Sequence, residues 1–184
     1  KPLNKHTVIV GLGKTGLSVA RFLGARGAAF AVTDSRTEPP GLTQLKQGSP
    51  SAPLMLGGLD AEALQHAARI ILSPGISLRE PALAAARARG MEIIGDIELF
   101  AQSARAPVVA ITGSNGKSTV TTLLGEMARH AGRDARVGGN LGTPALDLLQ
   151  AQTAEPDLYV LELSSFQLET TYSLNAAAAT VLNV

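Results

Sequence analysis

Lys117, Ser118 and Glu162 have types and spacing that could do chemistry. Lys117 and Ser118 close a glycine loop, Gly113-Ser114-Asn115-Gly116, and Thr119 follows directly. In such a loop the glycines let backbone N–H groups turn toward an anion. The lysine would reach the β- and γ-phosphates of ATP, and the Ser118 hydroxyl would ligate Mg²⁺. Glu162 stands near the end of the apolar run Leu158 to Leu163. A carboxylate at the tip of a strand that follows a phosphate loop is where Mg²⁺ is held. One departure is plain. A strict Walker A has a glycine where this chain has Ile111, so the loop is the shorter G-x-x-G-K-S.

A second constellation lies near the start. Gly11-Leu12-Gly13-Lys14-Thr15-Gly16 is a full G-x-G-x-x-G, and Asp34 follows at close to the spacing of a ribose-binding acid. The motif alone does not name its nucleotide. NAD is the default, and other anionic ligands can use the same helix N-terminus. Ser73-Pro74-Gly75 at a strand end is a weaker signal, better read alone as an ordinary turn. The stretch Gly138 to Pro144 is too glycine-rich for a plain connection, and its Asn140 could reach a ligand. Ser164, Ser165, Gln167 and Glu169 form a dense polar cluster after Glu162.

These residues need elements to position them. Val108 to Ile111 is a short apolar run of strand character before the phosphate loop. Val120, Leu123, Leu124, Met127 and Ala131 then recur at helical spacing. Ahead of the first glycine motif, Thr7 to Val10 is a β-branched strand. After it Leu17, Ala20, Leu23 and Gly24 share a helical face, and Gly27 suits a C-cap. A strand at Ala29 to Val32 leads to Asp34. Pro39, Pro40, Pro50 and Pro53 mark a loop around a short helix. Further strands are expected at Leu54 to Leu56, Arg69 to Leu72 and Glu92 to Ile94. Asp60 would cap a helix running through Ala67, and a helix is expected over Pro81 to Arg89. Asp96 starts a connecting helix, and Pro107 begins a second β-α series. The boundary is expected between Ser103 and Pro107, giving domains 1–104 and 105–184.

Composition bounds the class. The 184 residues are 45% apolar but only 3% aromatic, so the core is built of Ala, Val, Leu and Ile. A net charge of +1 supplies no basic field, and no nucleic-acid partner is expected. With no cysteine there is no disulfide, thiolate metal site or cysteine nucleophile. His6, His66 and His130 lie in no metal-ligand spacing. No apolar run is long enough to insert in a membrane, and no signal-peptide pattern opens the chain. A monomeric cytoplasmic protein is expected. The chain starts at Lys1, which suggests trimming, and stops on an apolar strand, which suggests that the natural protein continues.

Taken together, the motifs resemble the Mur ligases of peptidoglycan synthesis, within the wider ATP-dependent ligases that include folylpolyglutamate synthase. The resemblance rests on Thr112 to Ser118, Gly11 to Ser18, Ser73 to Ile76, Gly95 to Phe100, Gly138 to Gly142 and Leu161 to Glu169, and covers essentially the whole chain. The shorter loop is the family's own form. Gly95 to Phe100 and Leu161 to Glu169 are similar to the branch that adds D-glutamate. The implied fold is α/β, a Rossmann-like parallel-sheet domain followed by the first part of a P-loop-type ATP-binding domain. The implied reaction phosphorylates the carboxylate of UDP-N-acetylmuramoyl-L-alanine with ATP. The amine of D-glutamate then attacks the acyl phosphate. By resemblance, Gly113 to Thr119 bind ATP, Lys117 and Glu162 are catalytic, and Ser118 and Glu162 hold Mg²⁺. The first domain would bind the UDP moiety. Gly13, Lys14, Thr15 and Gly16 would face the diphosphate, Asp34 and Arg36 the uridine, and Ser73, Pro74 and Gly75 would border it. Asn140 and Ser164 would lie on the substrate side. Lys14 stands where an apolar residue is usual, adding a cation to the diphosphate site. The resemblance also puts a histidine, a Mg²⁺-bridging carbamylated lysine and the D-glutamate domain beyond Val184, so this chain alone is expected to be inactive. An NAD-dependent oxidoreductase, a phosphate-loop switch protein and another ligase of the same family remain alternatives.

Overall fold

The computed structural model describes residues 6–149 and 154–183, and the chain divides into two compact units, Lys1–Asp96 and Ile97–Val184. In the first, strands β1 (Thr7–Val10), β2 (Phe30–Asp34), β3 (Leu54–Leu56), β4 (Arg69–Leu72) and β5 (Ile93–Gly95) alternate with helices α1 (Lys14–Ala25), α2 (Leu42–Gly48), α3 (Ala61–His66) and α4 (Pro81–Ala88). All the strand pairs are parallel, in the order β3-β2-β1-β4-β5. The order reverses at β1, so the loops after β1 and β4 diverge there and leave a crevice at the strands' C-terminal ends.

This sheet is buried on both faces, which is why its strands carry continuous apolar runs rather than alternation. Val8, Val10, Ile70, Leu72 and Ile93 join Leu64 of α3 and Leu83 and Ala86 of α4 in one core cluster. Helix α1 lies against β1 and α2. It buries Gly16, Leu17, Ser18, Val19, Ala20, Phe22 and Leu23, a wider face than the expected stripe, and leaves Gly24 exposed. Gly27, at φ 65, ends the helix as expected, and the N–H of Ala28 returns to the Leu23 carbonyl at 3.0 Å. Asp60 caps α3 through its side chain, which accepts from the Ala63 N–H at 2.8 Å.

Helix α5 (Asp96–Ala101) starts on the last residue of the first unit, and the rest of it belongs to the second. Glu98 is buried there. It accepts from the Tyr172 and Ser173 N–H groups at 2.6 and 2.8 Å and from the Ser173 hydroxyl at 2.6 Å. Phe100 meets Tyr159 edge to face with ring centroids 5.0 Å apart. These ties draw α5 beyond its first residue into the second unit, which begins at Ile97. Next come β6 (Val108–Gly113), α6 (Lys117–His130), β7 (Ala135–Gly139), α7 (Ala145–Leu148), β8 (Leu158–Glu162), α8 (Ser165–Leu168) and β9 (Ala178–Leu182). The sheet is again parallel, ordered β7-β8-β6-β9.

Helix α6 forms where its spacing predicts, but only the Val120 and Leu124 part of the apolar stripe packs. Leu123 and Met127 are 58% and 59% exposed, whereas Thr121 and Gly125 are buried. The cause is close approach to β7: a Cβ on Gly125 would sit 2.4 Å from Val137 Cγ2. Small residues let the helix settle there, and the inward side is Val120, Thr121, Leu124, Gly125 and Ala128.

Candidate functional site

In the first unit the loops after β1, β2 and β4 enclose a cavity of about 340 Å³. Its wall includes Gly13, Lys14, Thr15, Asp34, Arg36, Ser73, Pro74 and Gly75, all expected from sequence. Gly16 lies just behind it and is buried. A Cβ on Gly16 would stand 1.9 Å from the Gly11 carbonyl oxygen, so the first turn of α1 approaches the loop as only glycine permits. No side chain caps α1, whose first turn faces the loop with its helix-dipole charge. Ser73 donates its hydroxyl to the Gly11 carbonyl at 3.0 Å and so ties the β4 loop to the β1 loop.

Asp34 organises this end of the sheet. Its carboxylate accepts from the Leu12 N–H at 2.7 Å and from the Arg36 N–H at 2.9 Å. The Arg36 guanidinium forks onto the same group at 2.9 and 2.7 Å. The side-chain bonds from Arg36, with Leu12 in support, outweigh the opposing effect of burial and hold the carboxyl at about 2, against an ordinary 3.8. Arg36 is half-exposed and is thereby fixed at the cavity rim. Ser35 and Ile76 also line the cavity and were missed in the sequence. Their signal was position alone, beside Asp34 and in the turn after Ser73.

In the second unit the loop after β6 turns at Gly113, φ 131, and at Gly116, φ 79, which is the N-cap of α6. No side chain caps this helix, whereas Asp60 caps α3 and Ser164 caps α8. Lys117 lies over the loop, its Nζ donating to the Gly113 and Ser114 carbonyls at 2.7 and 3.2 Å. Ser114, Asn115, Gly116, Ser118 and Thr119 are exposed along the turn. The arrangement gathers backbone N–H groups, an ammonium and a helix dipole where an anion would sit.

Glu162 ends β8 and is only 2% exposed. It accepts from the Ser118 hydroxyl at 2.7 Å and from the Asn140 side-chain amide at 2.8 Å. Register explains the meeting, since Glu162 pairs with Ile111 on β6 and with Gly139 on β7. A Cβ on Gly139 would lie 2.4 Å from the Glu162 carbonyl oxygen, so glycine there lets the two strand ends close. Asn140 thus buttresses the carboxylate. Ser164 starts α8: its hydroxyl accepts from the Gln167 N–H in a capping box. Among the described residues no group of three or more His, Cys, Asp or Glu could hold a metal. The Ser118 and Glu162 oxygens do suit Mg²⁺, a hard cation that takes few protein ligands and completes its shell with phosphate and water oxygens.

Comparison with known proteins agrees with this geometry. The family description "Mur ligase MurD-like, N-terminal domain" matches residues 5–95, and "Mur ligase middle domain" matches residues 111–184. The chain is 62% identical over 178 residues to the UDP-N-acetylmuramoylalanine--D-glutamate ligase of Nitrosococcus oceani, covering 97% of this chain and 39% of that protein. It is 61% identical over 181 residues to the protein of that name from Marinobacter nauticus, covering 98% of this chain and 40% of that protein. Among solved structures it matches the UDP-N-acetylmuramate:L-alanyl-gamma-D-glutamyl-meso-diaminopimelate ligase of Neisseria meningitides with a TM-score of 0.59 at 18% identity. That match covers 98% of this chain and 60% of that one, and it speaks for the fold alone. With two successive Mur ligase domains matched and both site loops built as their motifs require, this chain belongs to the Mur ligase family.

Proposed function

We propose that the protein containing this chain is an ATP-dependent, peptide-forming ligase of peptidoglycan synthesis that joins D-glutamate to UDP-N-acetylmuramoyl-L-alanine. The observation that carries this reading is 62% identity, along 97% of the chain, to a relative bearing that activity in its name. The residues supply the parts. Lys117 and the N–H groups of the 113–119 loop bind the ATP phosphates and take up charge as the terminal phosphoryl moves to the substrate carboxylate. Ser118 and Glu162 hold Mg²⁺, which when bound neutralises phosphate oxygens. Asn140 orients Glu162. The D-glutamate amine attacks the acyl phosphate, and inorganic phosphate leaves as the amide forms. In the first unit, Gly13 to Gly16 face the diphosphate, and Asp34, Arg36 and the Ser73 to Gly75 turn border the uridine.

An NAD-dependent oxidoreductase is not favoured. Asp34, the acid that would take ribose hydroxyls, already accepts from Leu12 and from the Arg36 fork. Thermal shift separates the two readings, because a ligand at a hundred times its dissociation constant stabilises by about 2.7 kcal/mol. The expected result is a shift with UDP-N-acetylmuramoyl-L-alanine and none with NAD⁺. A shift with NAD⁺ alone would overturn the assignment.

A further inference from the structure

The end of β9 and the residue after it touch the phosphate loop at Gly113, Ser114 and Asn115. A Cβ on Gly113 would stand 1.8 Å from the Leu182 carbonyl oxygen, so the two strand ends are in direct backbone contact. The Ser114 N–H donates to that carbonyl at 3.1 Å. One residue on, Asn183 takes over. Its carbonyl accepts the Ser114 hydroxyl at 2.7 Å, and its side-chain amide donates to the Asn115 carbonyl at 3.0 Å. Asn183 has φ 52, the left-handed region, which among non-glycine residues asparagine tolerates best. That turn lets one residue present its carbonyl to Ser114 and its side chain to Asn115.

We infer that Asn183 is a positioning residue for nucleotide binding, which holds Ser114 and Asn115 so that the loop's N–H groups face the phosphates; this rests on reading 113–119 as the ATP loop. The two contacts from one residue hold the Ser114 side chain and the Asn115 carbonyl, and with the Leu182 carbonyl on the Ser114 N–H they fix the loop just ahead of α6. Nothing in the sequence alone singles Asn183 out, because its partners are near the other end of the unit. The side chain is exposed and outside the core, so replacing it acts on the loop and not on folding.

The test uses the chain as it stands. Wild type, Asn183→Gly and Asn183→Asp are titrated with MgATP by calorimetry, and the amide resonances of Ser114, Asn115 and Gly116 are followed by NMR. Glycine keeps the left-handed turn and removes the side-chain donor; aspartate keeps the shape and has no donor. The expected result is MgATP binding weakened about fivefold by Asn183→Gly and further by Asn183→Asp, the range of one lost hydrogen bond or more. The loop resonances move, while the melting temperature and the response to UDP-N-acetylmuramoyl-L-alanine stay as in wild type. Unchanged MgATP affinity in both variants overturns the role of Asn183 and leaves the ATP-loop reading standing. Failure of the wild-type chain to bind MgATP overturns both.

Discussion

Lys14 lies exposed in the first turn of α1, at the wall of the cavity that Gly13, Thr15 and Arg36 also line. On the proposed reading, an ammonium there would add a long-range attraction for a diphosphate that the loop N–H groups do not supply. Lys14→Leu is expected to weaken binding of UDP-N-acetylmuramoyl-L-alanine about fivefold at low salt, the scale of an exposed charge contact, and to flatten its salt dependence. Titration at two ionic strengths checks this, and unchanged low-salt affinity would refute it. Asp34 makes a different prediction. Its carboxyl is depressed to about 2 in the fold against an ordinary 3.8, so the charged form is bound more tightly when folded. That stabilisation is complete above about 4 and is lost as pH falls through 2, amounting to about 2 kcal/mol. Asp34→Asn should remove this acid-dependent part of the first unit's stability, read from denaturation midpoints between pH 5 and pH 2. Burial pushes Glu98 upward, but bonds from Ser173, Tyr172 and Gln102 outweigh it and leave this carboxyl below its ordinary value. The second unit therefore loses stability in acid with the same sign.

At the scale of elements, α6 tests whether spacing or contact decides what is core. Leu123 lies on the apolar stripe but is more than half exposed, while Gly125 meets Val137. Leu123→Ala should cost under about 0.5 kcal/mol, as surface changes do. Gly125→Val should cost about 1–3 kcal/mol by overpacking. Chemical denaturation of the two variants measures the contrast, and equal costs would mean that the helix packs on its stripe after all. The elements themselves were largely legible. Strands β1, β4 and β5 followed runs of Val, Ile or Leu, and Asp60 marked the start of α3 as caps do. The buried side of α6 was only partly legible: Val120 and Leu124 lay on the stripe, but Thr121 and Gly125 pack by closeness of backbone and leave no apolar signal. The Glu162 cluster was half legible. The carboxylate at the strand tip announced itself, but that Asn140 would buttress it depends on β7 and β8 pairing in a register that neither segment encodes alone. The capping box that Ser164 makes with Gln167 was not read from the polar cluster around it.

For the whole molecule, the two compact units carry one nucleotide-type loop each, Gly11 to Gly16 and Gly113 to Ser118. Ligand effects should therefore map to separate stretches of chain. In hydrogen exchange, UDP-N-acetylmuramoyl-L-alanine is expected to slow amides around 11–16 and 73–76, and MgATP those around 113–119. Protection of the 113–119 loop by the UDP compound alone would reverse the assignment. No helix among the described residues is long and apolar enough to cross a membrane. The compact units divide between Asp96 and Ile97. Pro107 gives a local signal, but the hold of Glu98 and Phe100 on the second unit joins residues far apart in the chain.

Gly16, Gly113 and Gly139 each have a backbone oxygen within 2.4 Å or less of where a Cβ would be. Every single-base change of a glycine codon that alters the residue introduces a Cβ or a stop. At these positions mutation has no small step to take. A compound resting on the backbone of those turns, and not on side chains such as Lys14 or Arg36, would meet a surface from which resistance has few routes to arise.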